Sequence, residues 1–312
     1  MSGARLGDPP GPLWMRALAA VVARVPFGWL RWLGSALGFL AGSVLRIRRR
    51  HVEAALRRAG IARSGAVARG MYASLGAGVF ELLWLAGRPP GALAGHVTIE
   101  PACADALRRA AVLGRGVVVA TAHTGNWDLS ACAAAQWLAD EGSGARLHVV
   151  TKRLSWRALD RYWQRLRAER GVRIADEGGA AAYVRAALHA GDVTALMTDQ
   201  VPERDSGIAT LPFLGAPALH DLGPALLAAR SRAPLLVVFG HREPDGHHRL
   251  ALALALDPEE LRGRGAIASA TGKIAAALEV FVRAHPEQWL WLHRRWKNVN
   301  AASPTEPQGQ PW

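Results

Sequence analysis

The feature that most limits how this chain can fold is an alternation that starts after residue 115. Short β-branched runs at 116–121, 147–151, 193–197 and 234–239 are separated by segments of helical character at about 129–140, 156–170, 179–190 and 221–232. Strands spaced by helices argue for a largely parallel sheet with helices on both faces. Residues 248–256 alternate apolar and small side chains and are expected to add an edge strand. It would pair with 234–241 across the turn Glu243-Pro244-Asp245-Gly246. One more helix is expected at 267–284. The predicted fold class is α/β: a mixed, mostly parallel sheet flanked by helices, preceded by an N-terminal helical membrane-anchoring segment.

That segment is read from residues 13–50. The stretch 13–45 is mostly apolar but is interrupted by Arg16, Arg24 and Arg31 and broken at Pro26 and Gly28. Its longest charge-free run, 32–45, is shorter than the roughly 20 residues a spanning helix needs. It therefore reads as one or two helices lying in or dipping into a bilayer surface, with a tilted span as the alternative. The cationic block Arg46-Ile47-Arg48-Arg49-Arg50-His51 follows at once, as on a cytoplasmic face against anionic lipid. The remaining boundaries are a disordered start at 1–12, an α/β domain at 51–298 and a flexible tail at 299–312.

Composition narrows the partners without choosing one. Half of the 312 residues are hydrophobic, and 38 Lys and Arg against 25 Asp and Glu leave a net charge of +13. An anionic partner is implied: lipid, nucleic acid or an acidic protein. The basic residues are spread along the chain and no nucleic-acid motif is present, so a nucleic-acid partner is not expected. Two cysteines, Cys103 and Cys132, exclude a disulfide framework and read as small buried hydrophobes. Twelve tryptophans are unusual, and eight lie in two groups, Trp14, Trp29, Trp32 and Trp84, then Trp289, Trp291, Trp296 and Trp312. Such residues suit either a membrane interface or a core.

Chemistry is concentrated in the run 117–130, where a buried-type strand leads into His123-Thr-Gly-Asn-Trp-Asp128. Asn126 is a good N-cap for a helix that starts there. His123 on the strand exit and Asp128 in the first helical turn would meet at the carboxyl edge of the sheet, where α/β sites form. A hydroxyl needs a base with a near-neutral pKa, which imidazole supplies, and a carboxylate on its other nitrogen fixes the tautomer. The helix N-terminus adds amide donors for an oxyanion. No Ser or Cys in a tight elbow is present, so direct attack by the acceptor is preferred to an acyl-enzyme.

His-Thr-Gly-Asn-Trp-Asp resembles the H-x4-D/E core of the lysophospholipid acyltransferase superfamily, and Gly125-Asn126-Trp127 looks like its lipid A biosynthesis (late acyltransferase) branch. Asp199-Gln200, the block 211–218 and the block 285–297 (HPEQWLWLHRRWK) follow in the order of that branch. The resemblance implies transfer of a fatty acyl chain from an acyl carrier protein or acyl-CoA thioester to a hydroxyl of a membrane glycolipid, foremost a lipid A precursor. It places the chain at the cytoplasmic face of the cell inner membrane, with no cofactor and no metal. By the same resemblance His123 is the base and Asp128 its carboxylate partner, with Asp199 in an outer or alternative relay position. Asn126, Arg153, Gln200, Arg294 and Arg295 are the expected substrate-binding residues. Arg294, Arg295 and Lys297 among tryptophans would meet lipid phosphate or an acidic carrier protein, or form only a stacked surface.

Departures leave the acceptor open. No Glu-Gly-Thr-Arg-like motif of the glycerolipid branch is present, and His220 stands where Thr is usual, so mannosylated phosphatidylinositol or another glycolipid is the alternative acceptor. A metal-dependent hydrolase would need a third ligand beside His123, Asp128 and Asp199, and none is evident. A non-catalytic basic binder, or a degenerate member keeping only the fold, is the other alternative. His247 and His248 read as exposed, His51 and His96 as surface, and His285 and His293 as orienting groups.

Overall fold

The computed structural model describes residues 12–152, 154–176 and 178–297. The ends expected to be loose, 1–12 and 299–312, therefore lie outside the described residues except for Pro12. Helices α1 (Leu13–Val22), α2 (Leu30–Phe39), α3 (Arg49–Arg58) and α4 (Ser64–Ala86) precede strand β1 (Val97–Ile99). Next come α5 (Pro101–Val112), β2 (Val117–Thr121), α6 (Trp127–Asp140), β3 (Leu147–Thr151), α7 (Arg157–Glu169), β4 (Arg173–Asp176), α8 (Ala180–His189) and β5 (Val193–Met197). A hairpin of β6 (Ile208–Phe213) and β7 (Ala216–Asp221) leads to α9 (Gly223–Ser231), β8 (Leu235–Arg242), β9 (His248–Leu256) and α10 (Ala266–Ala284).

Among the described residues, seven strands form one sheet in the order β1-β9-β8-β2-β5-β3-β4. Every neighbouring pair is parallel except β8 with β9. The expected mixed, mostly parallel sheet is thus present. Central β2 carries the run Val-Val-Val-Ala because it is covered on both faces, and its first four residues are all buried. Residues 117, 119, 193, 195, 236 and 238 turn to one layer with α5 and α6, and residues 118, 120, 235 and 237 to the other with α8, α9 and α10.

Two details of the sheet differ from the sequence reading. β9 pairs with β8 as expected, but it is not an edge strand, because β1 adds outside it through three residue pairs. β1, β4 and the β6–β7 hairpin were not anticipated. The first two are only three and four residues long, and in the hairpin Pro212 stands opposite Pro217. Proline cannot donate to a ladder, so it survives in such a strand only on an open edge.

The tryptophan groups separate. Trp14, Trp29 and Trp32 are exposed, together with Leu13, Phe39 and Leu45, whereas Trp84, Trp289 and Trp291 are core residues. The C-terminal tryptophans of the described chain are therefore structural rather than interfacial. Trp312 lies outside the described residues. Cys103 and Cys132 are buried, as expected of small hydrophobes, and burial pushes both thiols up to about 12.

The N-terminal segment is folded onto the domain. α1 is followed by a sharp bend of 108°, and α2 runs on through a wider turn at Leu40–Val44. No single described helix is long and apolar enough to cross a membrane, although the bent pair has the length and composition together. α2 lies directly on α4 because Gly34, Gly38 and Gly42 carry no side chains. A Cβ on Gly34 would run into the backbone of Gly76 and Ala77, and one on Gly38 into the backbone of Tyr72 and Ala73. Tyr72 in turn bonds through its hydroxyl to the Ile47 carbonyl, closing the segment over α4. Gly34→Val should force α2 off α4 and destabilise the protein by at least ~1–3 kcal/mol. Denaturant unfolding, with proteolysis near residue 45 as a second readout, checks this; wild-type stability and protection would show that the glycines are not needed.

Candidate active site

The register of β2 on β5 builds the site. Thr121 pairs with Met197, and the Thr198 amide continues the ladder by donating to the Thr121 carbonyl at 2.8 Å. His123 and Asp199 each stand two residues past their strand ends, so they leave the sheet side by side. The connection leaving β2 runs through α6 to β3, and the one leaving β5 runs back past β2 to β8. Adjacent strands with outgoing connections in opposite directions open a crevice at their carboxyl ends.

In that crevice His123 Nδ1 lies 2.9 Å from Asp199 Oδ1. The other Asp199 oxygen accepts from the His123 amide and from Trp289 Nε1, each at 3.0 Å. Asp199 is fully buried. Burial opposes its charge, but the His123 ring and amide prevail and hold the carboxyl well below the usual carboxylate range. An ionised carboxylate only accepts, so Nδ1 carries a proton and Nε2 is left as the basic nitrogen. For His123 burial likewise disfavours the charged form, yet the Asp199 carboxylate outweighs it and the imidazole pKa is raised.

Asp128, expected on that Nδ1, is turned instead to α7. Arg167 Nε and Nη2 reach Asp128 Oδ1 at 2.8 and 2.6 Å. Asp128 sits in the first turn of α6, beyond the Asn126 cap, and the geometry gives the imidazole contact to the strand-end Asp199. Trp127 and His293 flank the His123 ring edge-on, with centroids 4.9 and 5.0 Å away. Burial and then the neighbouring His123 push His293 down to about 4, so it is neutral at physiological pH.

The other expected residues are distributed unevenly. Gln200 is exposed, with Nε2 3.2 Å from His293 Nε2, and Arg294 is exposed. Arg153 lies outside the described residues. Asn126 is buried: its side-chain oxygen caps α6 at the Leu129 amide, and its nitrogen donates to Gly78 and Glu81 of α4. Arg295 is buried as well, and so is not a surface cation. Its Nη1 donates to the Leu219 carbonyl at 2.6 Å, its Nη2 lies about 3 Å from the His220 ring nitrogens, and the guanidinium stands over Phe213. Burial, helped by Arg295, pushes His220 down to about 3, and a neutral ring accepts from the guanidinium. The pair fastens the β6–β7 hairpin to the C-terminal segment.

A second buried cluster supports the His123 loop. Arg242 of β8 holds Glu81 of α4 through two bonds of 2.7 and 2.8 Å, and Glu81 also accepts from Asn126 at 2.9 Å. His248 Nε2 is 3.2 Å from the same carboxylate, so His248 is a core residue and not the exposed one expected. Gln288 exchanges two bonds with the Arg242 backbone and accepts the Gly125 amide on its own carbonyl. Glu81 and Arg242 had no motif to announce them. The available signal was that Glu81 is the one acidic residue in the apolar 23-residue α4, and such residues are rarely buried unpaired.

Beside His123 an apolar cavity opens between α5, α6 and the sheet. Val119, Ala134, Leu138, Leu147, Val193 and Leu250 are among its lining residues, and Thr124, Trp127, Asp128 and Arg167 also border it. From the Thr121–Met197 level to the Leu147–Val193 level it follows four strand residues, roughly 13 Å. Among the described residues no group of three or more His, Cys, Asp or Glu stands at metal-holding spacing.

The His–Asp pair stands at the carboxyl edge of the parallel sheet, and the residues on either side of His123, Ala122 and Thr124, border the apolar cavity. The profile of the bacterial lipid A biosynthesis acyltransferase family matches residues 13–298, and the chain belongs to that family. It is an acyltransferase with a lipid-like acceptor. No curated protein matches the chain closely enough to count as a relative.

Glu81→Ala leaves Arg242 buried and unpaired and unties the Asn126 cap. The expected loss is about 3–5 kcal/mol of stability by denaturant unfolding; a loss under ~1 kcal/mol would show that the cluster does not hold the fold.

Proposed function

We propose that the protein transfers a fatty acyl chain from the thioester of an acyl carrier protein or acyl-CoA to a hydroxyl of a membrane glycolipid, foremost a lipid A precursor. His123 is the general base and Asp199 its orienting carboxylate. The observation that carries this reading is the 2.9 Å contact between His123 Nδ1 and a fully buried Asp199 at the side of an apolar cavity.

The acyl chain lies in the cavity with its carbonyl at the His123 end. His123 Nε2 takes the acceptor's proton as the acceptor oxygen bonds to the carbonyl carbon. The carbonyl electron pair moves to its oxygen, then returns as the C–S bond breaks, and the proton passes from His123 to the departing sulfur. Asn126 caps only the Leu129 amide, so the first amides of α6 remain as donors for the oxyanion. The Asp128–Arg167 pair is fixed at the cavity, where Arg167 can meet an anionic part of the donor. Gln200 and Arg294 face solvent and are the groups we assign to the acceptor head group.

We place the exposed face of α1 and α2 on the cytoplasmic surface of the inner membrane. Trp14, Trp29, Trp32 and Phe39 enter the interface, and Arg24, Arg31 and Arg46 meet anionic lipid. The net charge of +13 also suits an acidic carrier protein.

A membrane-fraction assay with labelled acyl carrier protein thioester and extracted glycolipids tests the reading. Label should reach a glycolipid with wild type and not with His123→Ala. Transfer by the variant at the wild-type rate would remove His123 as base, and label on mannosylated phosphatidylinositol instead would reassign the acceptor. Asp199→Asn should lower kcat on the order of 10³-fold or more, and Asp128→Asn less. The acidic limb of the wild-type rate profile should lie above the ordinary imidazole value of 6.5, because the base must be deprotonated and Asp199 resists that. Asp199→Asn removes the main group that opposes burial and should move the residual limb to lower pH. A limb that stays in place counts against the pairing.

A further inference from the structure

At the border of the cavity beside His123 are two buried hydroxyls that the protein leaves unpartnered. Thr124 is 1% exposed, it and Ser130 border the cavity, and among the described residues neither Thr124 Oγ1 nor Ser130 Oγ has a hydrogen-bond partner. Most of the remaining lining is apolar, so a donor buried there costs stability unless something that enters the cavity accepts from it.

The surroundings hold these residues in place. Thr124 is bridged to Trp289, the Leu290 amide donates to the His123 carbonyl at 3.1 Å, and the Gly125 amide donates to the Gln288 carbonyl at 2.8 Å. The Thr124 backbone is therefore held on both sides. Gly240 of β8 faces Ser130, and a Cβ at that position would collide with Ser130 Oγ. Gly125, at φ +55°, packs against the Gly240 carbonyl, where a side chain would not fit. Two glycines thus allow the close packing around these residues, of which Thr124 adjoins His123 and Ser130 sits on the first turns of α6.

We infer that Thr124 and Ser130 are catalytic residues whose hydroxyls donate to the acyl carbonyl oxygen as it becomes an oxyanion. The inference rests on the acyl-transfer reading through His123. The acceptor oxygen bonds to the carbonyl carbon, its proton goes to His123 Nε2, and the carbonyl pair moves to the oxygen that the two hydroxyls address. Loss of the sulfur restores the carbonyl and releases the donors. Donors that are already oriented and shielded from water need no reorganisation when the charge appears.

The test is steady-state kinetics on the full-length protein with an acyl carrier protein thioester and the glycolipid acceptor. Thr124→Val keeps the shape and removes the donor. It should lower kcat on the order of 10²-fold, leave KM for the thioester within about twofold, and leave the thermal midpoint unchanged or raised. Thr124→Ser should recover most of kcat, and Ser130→Ala should lower it in the same way. Wild-type kcat in Thr124→Val, or a loss that Thr124→Ser does not recover, overturns the assignment. Should Thr124→Val fail to fold, wild-type kcat in Ser130→Ala overturns it instead. His123→Ala is run alongside: transfer surviving that variant removes the base, whereas transfer lost there but kept in Thr124→Val removes only the hydroxyls' role.

Discussion

The parallel pairing of β2 with β5 is the constraint on which the site depends. With Thr121 opposite Met197, the residues two places further on must stand side by side, and those are His123 and Asp199. A parallel ladder allows no slip of one residue here, because a slip would also turn the buried valines of β2 to the opposite layer. The chemistry and the core packing therefore depend on one register.

Around that register the protein arranges charge in closed sets. Asp199 is met by His123 and Trp289, Asp128 by Arg167, and Glu81 by Arg242 and Asn126. Each buried carboxylate has its donors within hydrogen-bond distance, which a low-dielectric interior demands. The C-terminal block contributes to two of these sets, through Trp289 and Gln288, and locks the β6–β7 hairpin through Arg295. Its sequence of aromatic and basic residues suggested a surface that meets lipid or a partner. Instead Trp289, Leu290 and His293 close on the His123–Asp199 pair, Trp291 and Arg295 are core, and Arg294 stays exposed.

How much could be read beforehand follows from the range of each interaction. The parallel core strands and the helices between them were legible because their patterns are local and periodic. His123 was legible from its place at a strand exit and from the motif around it. The carboxylate on its Nδ1 was assigned to Asp128, with Asp199 only as an outer or alternative relay, because Asp128 is five residues away in sequence and Asp199 is 76. Only the strand order 8-2-5-3 makes the more distant one the neighbour. Glu81, Arg242 and His248 escaped for the same reason, since a bond between α4 and β8 leaves no periodic trace. His248 was misjudged because it follows an exposed turn, whereas β1 and Glu81 cover it.

The glycine contact between α2 and α4 makes the N-terminal segment a wall of the domain. Ala77 touches α2, Glu81 one turn further along α4 holds Asn126, and Asn126 begins the helix that follows the His123 turn. Trp32 and His123 thus stand at two ends of one stiff lever with no linker between them. Whatever surface the exposed tryptophans rest on, the height and tilt of the site above it are set by this lever. In the proposed reaction, an acceptor hydroxyl that lies at another depth is brought to His123 by movement of the lipid, since α2, α4 and the start of α6 are in direct contact between the exposed face and the His123 turn.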